Sequence, residues 1–380
     1  MKIVAKNLVR YRTARNLTQG ELASAAGLSR VAYRNIETGE AAPRSSTLQA
    51  LADALQISLQ DLFEERTMPE QVRFRSLKKL YNRDSILEDV ARWIDDFRFL
   101  EDLLNEHRPW KLGKIASRTA PGRERPIRLA AQVREKMKLT AKEPIRDLCG
   151  LVESHGVKVR AMSVASDAFF GLSIGNADGG PAIVVNTWER ISVERWIFTV
   201  AHELGHLVLH LDEYDVQQTA EPRQQEIEAN LFASHFLMPH ELFTNEWDDA
   251  CGLSLIDRVL KVKRICRVSY KTVLYRIAEQ RPQASNLWAR FQGEWKRRHG
   301  RTLLKSDEPH ALSPEDFAPE ALRSQEPDTL TKSDFAEDRL SKLTCMAVDQ
   351  DKISIERAAK ILRISPLDMA HLAETWKVLN

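Results

Sequence analysis

The sequence predicts a multidomain chain: an all-α unit over residues 1–64, a mixed α+β domain over 127–282, and a helical C-terminal region over 283–380. Three observations predict it. At 380 residues, 43% of them hydrophobic, the chain amounts to two or three domains of about 100–200 residues and holds enough apolar mass for more than one core. Apolar residues recur at helical spacing through the first sixty residues, whereas β-like runs occur only between Val157 and Val185. Pro109, Gly113, Pro121, Gly122 and Pro126 mark a loop-rich junction between the two patterns.

Residues 1–64 read as successive short amphipathic helices. Leu8, Val9 and Tyr11 belong to the first. Thr18 followed by Glu21 is the capping-box pattern, in which side chains take the unpaired N–H groups of a first turn, and it opens a second helix through Ala26. Gly27 stops that helix. Ser29 caps a third that ends before Gly39, and Ser45 or Ser46 starts a fourth carrying Leu48, Leu51, Ala52 and Leu55.

Residues 65–126 read as a helical linker, with an amphipathic helix from Ser85 to Glu106 whose apolar stripe includes Ile86, Val90, Trp93, Phe97 and Leu104. The second domain opens with helices at 127–138 and 144–154. Short strands follow at Val157–Met162, Ala168–Ile174 and Ala182–Val185, the last two separated by the turn-forming run Asn176 to Pro181. Strong helices at about 191–211 and 223–237 precede shorter ones near 254–262 and 269–280. Four prolines between Pro309 and Pro327, among Ser, Asp and Glu, suggest an extended linker near 309–327 ahead of a helical tail.

The charge balance, 56 Lys+Arg against 54 Asp+Glu, excludes a uniformly basic nucleic-acid coat and a solvating acidic chain. Any nucleic-acid site must be local. Cys149, Cys251, Cys266 and Cys345 fall in no CxxC or zinc-ribbon spacing and are too few for a disulfide framework, which points to a reducing cytoplasm. No signal-peptide core is evident at the N-terminus. The most apolar long segment, Trp196 to Leu211, is broken by four ionisable residues, so no membrane span is expected.

Those four residues carry the chemistry. In His202-Glu203-Leu204-Gly205-His206, positions i and i+4 of a helix lie about 400° apart, one turn up on the same face, so both histidines face one ion. Glu203 projects beside them, placed to take a proton from a water at the metal and deliver it to a leaving amine. Zn2+ needs a third protein ligand. The downstream helix offers Glu226 and Asn230 on one face, the carboxylate to ligate and the amide to brace a ligand histidine. Glu228, rotated about 200° from Glu226, is the alternative. His210 is the rival, but three ligands at i, i+4 and i+8 span about 12 Å of rise, far beyond zinc–nitrogen bonds of about 2.0–2.1 Å.

The segment Trp196–Pro239, with its HELGH and EIEAN helices and terminal Leu237-Met238-Pro239, resembles the ImmA/IrrE family of metallo-endopeptidases. The similarity runs back through the strands to about 150 and, more weakly, forward to about 280. It implies a zincin-like (gluzincin) metallopeptidase domain with Zn2+ on His202, His206 and Glu226 and with Glu203 as general base. It also implies proteolysis of a regulator, typically a helix-turn-helix repressor.

A second constellation lies in residues 1–63, where eight Lys/Arg against five Asp/Glu give a local net of +3 and leave −1 on the rest of the chain. Positive charge is concentrated where phosphate would sit. Thr18-Gln19-Gly20-Glu21-Leu22-Ala23, Gly27-Leu28-Ser29 and Ile36-Glu37-Thr38-Gly39 resemble the Xre/Cro-type helix-turn-helix. In that geometry the third helix enters the major groove. Arg30 would then fork onto guanine, Asn35 onto adenine and Val31 onto a thymine methyl, with Arg34 also outward. Gln19 and Arg10 suit phosphate oxygens, while Tyr33 and Ile36 face the core and Glu37 pairs within the fold.

Together these features predict a DNA-binding transcriptional regulator fused to a zinc-dependent endopeptidase. It would be a cytoplasmic homodimer that binds a double-stranded operator and a repressor- or toxin-like protein. The alternative is a repressor or antitoxin-like regulator whose zinc domain binds a partner without proteolysis. Ser354 to Ser365 also looks like the opening of a helix-turn-helix and is read as a packing or interaction segment, and Lys296-Arg297-Arg298-His299 as a solvated helix end.

Overall fold

The structure is a computed structural model that describes residues 2–15, 17–63, 72–76, 83–113, 115, 122–211, 214, 222–280, 286–313 and 327–379. Most of the proline-bearing stretch near 309–327 therefore lies outside the described residues. The chain divides into two units, residues 1–69 with 81–93, and residues 70–80 with 94–380.

In the first unit, α1 (Lys2–Ala14), α2 (Gln19–Ala25), α3 (Arg30–Glu37) and α4 (Ser45–Ala54) enclose Val4, Leu8, Leu22, Tyr33, Leu51 and Leu55. Each start has a local cause. Thr18 Oγ1 accepts from Glu21 N at 3.2 Å while Thr18 N donates to Glu21 Oε2 at 2.7 Å, so the capping box is closed at α2. Ser29 Oγ accepts from Ala32 N at the head of α3, and Gly27 between the two helices has φ +68°, which a side chain would strain. Asn7 ties α1 to the 3-10 turn Gln60–Leu62 by donating to Leu62 O.

The second unit begins with a strand that the sequence pattern did not suggest, β1 (Val72–Ser76), inside the segment read as helical linker. α5 (Arg83–Leu104), α6 (Arg125–Lys136) and α7 (Leu148–Ser154) follow, then β2 (Lys158–Met162), β3 (Phe169–Ile174) and β4 (Ala182–Asn186). α5 contributes its residues to both units. Among the described residues the strands form one mixed sheet of order β1-β3-β4-β2, in which β2 and β4 are parallel and β3 is antiparallel to both its neighbours.

α8 (Val193–Leu209) packs on β3 and β4, and α9 (Arg223–Leu237) packs on α8. The first contact is close because Gly171 has no side chain: a Cβ there would lie 2.7 Å from both Thr199 Cγ2 and Val184 O. The second is close because of Gly205, against which the Phe232 ring lies. α10 (His240–Asp249), α11 (Leu255–Cys266), α12 (Tyr270–Gln280) and α13 (Leu287–His299) complete the main core, and Lys296 to His299 form the last turn of α13. Buried Arg134 of α6 staples this layer by donating to Phe236 O at 2.7 Å and to Thr140 O and Glu143 O, each at 2.6 Å.

α14 (Arg339–Asp349), α15 (Ile355–Leu362) and α16 (Pro366–Leu379) form the tail and share a small core of Ala358, Ala359, Met369 and Ala373. Arg339 binds Glu101 Oε1, which anchors the tail to α5. Among the described residues no helix is long and apolar enough to cross a membrane.

Candidate metal centre and nucleic-acid interface

The helical repeat of α8 sets His202 above His206, and packing of α9 on α8 brings Glu226 to them. His202 and Glu203 are 0% exposed and His206 1%. The two histidine Nε2 atoms are 2.9 Å apart, and Glu226 Oε1 stands 3.1 Å from His206 Nε2 and 3.6 Å from His202 Nε2. A tetrahedron with metal–ligand bonds of about 2.0–2.1 Å has edges of about 3.3 Å, and these three edges bracket it. Two imidazole nitrogens and a carboxylate oxygen form a donor set suited to Zn2+.

The far side of each ring explains why Nε2 faces inward. His202 Nδ1 lies 3.0 Å from Asn230 Oδ1, an acceptor, so Nδ1 carries the proton and the Nε2 lone pair points to the centre. For His206 the same result is reached through a relay. Glu228 Oε2 accepts from His210 Nε2 at 3.0 Å, which leaves His210 Nδ1 to accept from His206 Nδ1, also at 3.0 Å. His210 and Glu228 thus support a ligand and stand outside the converging trio.

Burial holds the His206 ring well below the ordinary imidazole value against the pull of Glu226, so it is neutral, the form that ligates. Burial acts to raise the Glu226 carboxyl, but the adjoining His202 and His206 rings outweigh it and keep the group well below the usual range.

Glu203 turns to the sheet. Ser173 Oγ of β3 donates to its Oε2 at 2.7 Å and lies 2.8 Å from Tyr214 OH. The serine hydrogen is committed to the carboxylate, so Tyr214 donates to Ser173. Nothing in the sequence marks Ser173, since one serine in an apolar strand carries no local signal. His240 faces Gln280 through Nδ1, and His235 pairs with Glu279 and Arg276.

In the first unit, Arg30 and Arg34 are exposed at the start and middle of α3, Val31 is 68% exposed, and Asn35 is half-buried. Tyr33 and Ile36 point into the core. Glu37 is buried and triply bound: Arg12 Nε and Nη2 donate to Oε1 at 2.9 and 2.7 Å, and Gln19 Nε2 donates to Oε2 at 2.7 Å. The Gln19 side chain therefore braces α2 on α3. The side chain of Arg10 lies outside the described residues.

Residues 8–62 match the family model of a helix-turn-helix, and residues 152–278 match that of the IrrE N-terminal-like domain. The chain is 34% identical over 105 residues to the cryptic phage CTXphi transcriptional repressor RstR of Vibrio cholerae serotype O1, an alignment that covers 27% of this chain and 89% of that one. A crystal structure of Bacillus thuringiensis PlcR with the peptide PapR7 and DNA aligns over 99% of both chains at 13% identity. Its TM-score of 0.17 carries no argument about shape. The matched stretches coincide with the two places where charge and metal-ligand geometry are concentrated.

Proposed function

We propose, from an IrrE-like domain over residues 152–278 behind an Xre-type helix-turn-helix over residues 8–62, a DNA-binding transcriptional regulator fused to a zinc-dependent endopeptidase. The endopeptidase, of gluzincin type, hydrolyses a peptide bond in a regulatory protein. The observation that carries this reading is the convergence of His202, His206 and Glu226, with Glu203 held beside them by Ser173.

His202 Nε2, His206 Nε2 and Glu226 Oε1 would hold the ion. When bound, Zn2+ supplies the Lewis acidity that polarises a peptide carbonyl. Glu203 accepts the proton of the attacking water and returns it to the departing amine. Ser173 fixes the carboxylate through Oε2, and Tyr214 fixes Ser173, so the base keeps one orientation through both transfers. The apolar packing of α8 and α9 excludes bulk water from the base, which strengthens each charge interaction.

The helix-turn-helix presents Arg30, Val31, Arg34 and Asn35 to a double-stranded operator, while Gln19, expected at a phosphate, is instead committed to Glu37. One small module of net +3 binds weakly, which favours a cytoplasmic homodimer on two half-sites. The test compares wild type with Glu203→Gln on a purified repressor or toxin-like partner, with zinc content measured in both. Cleavage by wild type alone supports the reading. If both leave every candidate partner intact at normal zinc content, the enzymatic claim fails.

A second reading is favoured by the likeness to a phage transcriptional repressor: the zinc domain binds its partner without turnover and tunes operator affinity. It predicts that Glu203→Gln responds to the partner as wild type does, in a DNA-binding titration.

A further inference from the structure

If the endopeptidase reading holds, its peptide substrate must find a place beside β3, the strand whose Ser173 binds Glu203. In the sheet order β1-β3-β4-β2, β3 is covered on one side by β4 and on the other by β1. β1 pairs antiparallel with β3, and Arg73 is the direct partner of Ser173. Partners in an antiparallel ladder project from the same face. Ser173 reaches Glu203 from that face, so Arg73 projects toward the metal centre as well.

Its burial agrees. Arg73 is 4% exposed. A guanidinium is rarely buried without a purpose, because leaving water costs several kcal/mol unless acidic partners offset it. Glu203 and Glu226 put two carboxylates at that centre. β1 is also a short excursion: residues 70–80 belong to the second unit, whereas the chain on either side, 1–69 and 81–93, belongs to the first.

A peptide on which Glu203 acts must lie extended beside it, and β3 offers the nearest backbone. A strand edge with unpaired N–H and C=O groups takes up extended peptides by strand addition, with main-chain bonds giving affinity and alternate side chains giving selectivity. We propose that the outer edge of β3 is the peptide-docking edge of the metal centre, that it selects an extended segment with a basic side chain opposite Ser173, and that residues 72–76 occupy it in cis as a stand-in for the substrate.

Removal of β1 then exposes the edge, and a free peptide of the same sequence competes for it. The probe is a fluorescent nonapeptide of residues 70–78, with a control peptide carrying Glu in place of the residue-73 arginine. Full-length Glu203→Gln protein, alone or combined with Arg73→Glu, Arg73→Ala or Arg73→Lys, is titrated in anisotropy with zinc content and circular dichroism matched. Amide exchange over residues 169–174 is followed in parallel.

The Arg73→Glu combination should bind the probe at least tenfold more tightly than Glu203→Gln alone, and the control peptide at least tenfold more weakly than the probe. Exchange in β3 should quicken in that variant and slow again when the probe is added. Arg73→Ala falls between and carries the test if charge reversal unfolds the chain, while Arg73→Lys keeps the edge closed. Equal binding of both peptides, or no gain in binding by a folded, zinc-loaded variant, overturns the proposal. Cleavage of wild type within residues 70–80 that is absent in Glu203→Gln also overturns it, since the segment is then substrate and not stand-in. Peptide docking without cleavage of any partner fails the endopeptidase reading alone.

Discussion

Gly205 of α8 faces Phe232 of α9 so closely that a Cβ on the glycine would lie 2.9 Å from the ring's Cδ1 and 3.2 Å from its Cγ. This one contact sets the spacing of the helix that carries both histidines from the helix that carries Glu226. Gly205→Ala should cost about 1–3 kcal/mol by overpacking. Because relief requires α9 to back away, it should also weaken Zn2+ binding by at least about tenfold. Denaturant unfolding and competition with a chromophoric chelator measure the two effects. A loss of stability with unchanged zinc affinity would mean that α9 shifts without moving Glu226.

Ser173→Ala removes the hydroxyl that holds Glu203 Oε2 and leaves the three ligand atoms as they are. Turnover should fall about 10–100-fold while zinc content stays at the wild-type value. Tyr214→Phe, one bond further out, should give a smaller loss in the same direction. Steady-state kinetics on the identified partner, with metal analysis, checks both.

Arg30→Ala combined with Asn35→Ala should abolish sequence preference. Each bidentate base contact is worth about 1–3 kcal/mol of discrimination, whereas phosphate contacts survive and keep non-specific affinity. Electrophoretic or anisotropy titration of operator against scrambled duplex at fixed salt is the measurement. Retained preference removes these two side chains from the reading surface.

Arg134→Met leaves the carbonyls of Phe236, Thr140 and Glu143 without their donor while keeping the volume of the side chain. An orphaned buried carbonyl costs about 1–3 kcal/mol, and Thr140 and Glu143 have access to some water, so a total loss of about 2–4 kcal/mol is expected. Thermal or denaturant unfolding tests it.

Glu153 gives a pH signature. Burial, and then the Asp338 carboxylate, push its carboxyl up to about 8, against a backbone hydrogen bond and the charge of Arg339. The folded pKa exceeds the unfolded value of about 4.3, so the folded state holds this proton more firmly. The resulting stability is fully present below about 4.3 and is lost as pH rises through about 8. Glu153→Gln cannot ionise. It should therefore overtake wild type in stability between pH 6 and pH 9, by at least about 1.4 kcal/mol, one pKa unit's worth. Denaturant midpoints measured across that range decide it.

Local periodicity made the helices and the pairs His202/His206 and Glu226/Asn230 readable, because partners three or four residues apart are fixed by helix geometry alone. The capping box of Thr18 and Glu21 and the stop at Gly27 were readable from equally local patterns. Ser173 was not: its role depends on β3 lying over α8, thirty residues away. β1 was missed because Val72-Arg73-Phe74-Arg75 stands in a charged stretch with no strand neighbour in sequence, and its partner lies about a hundred residues downstream. Helix rise already argued against His210 as a third ligand, and the relay to Glu228 shows what it does instead, holding His206.

The three ligand atoms come from two helices, His202 and His206 from α8 and Glu226 from α9, so a bound ion would tie the two together. An ion that binds the folded arrangement and not the unfolded chain stabilises by mass action, by about 2.7 kcal/mol at a hundredfold excess over Kd. The folded population of the IrrE-like unit would then rise and fall with the free concentration of that ion, so that scarcity of metal would shorten the protein's survival before it touched any reaction rate.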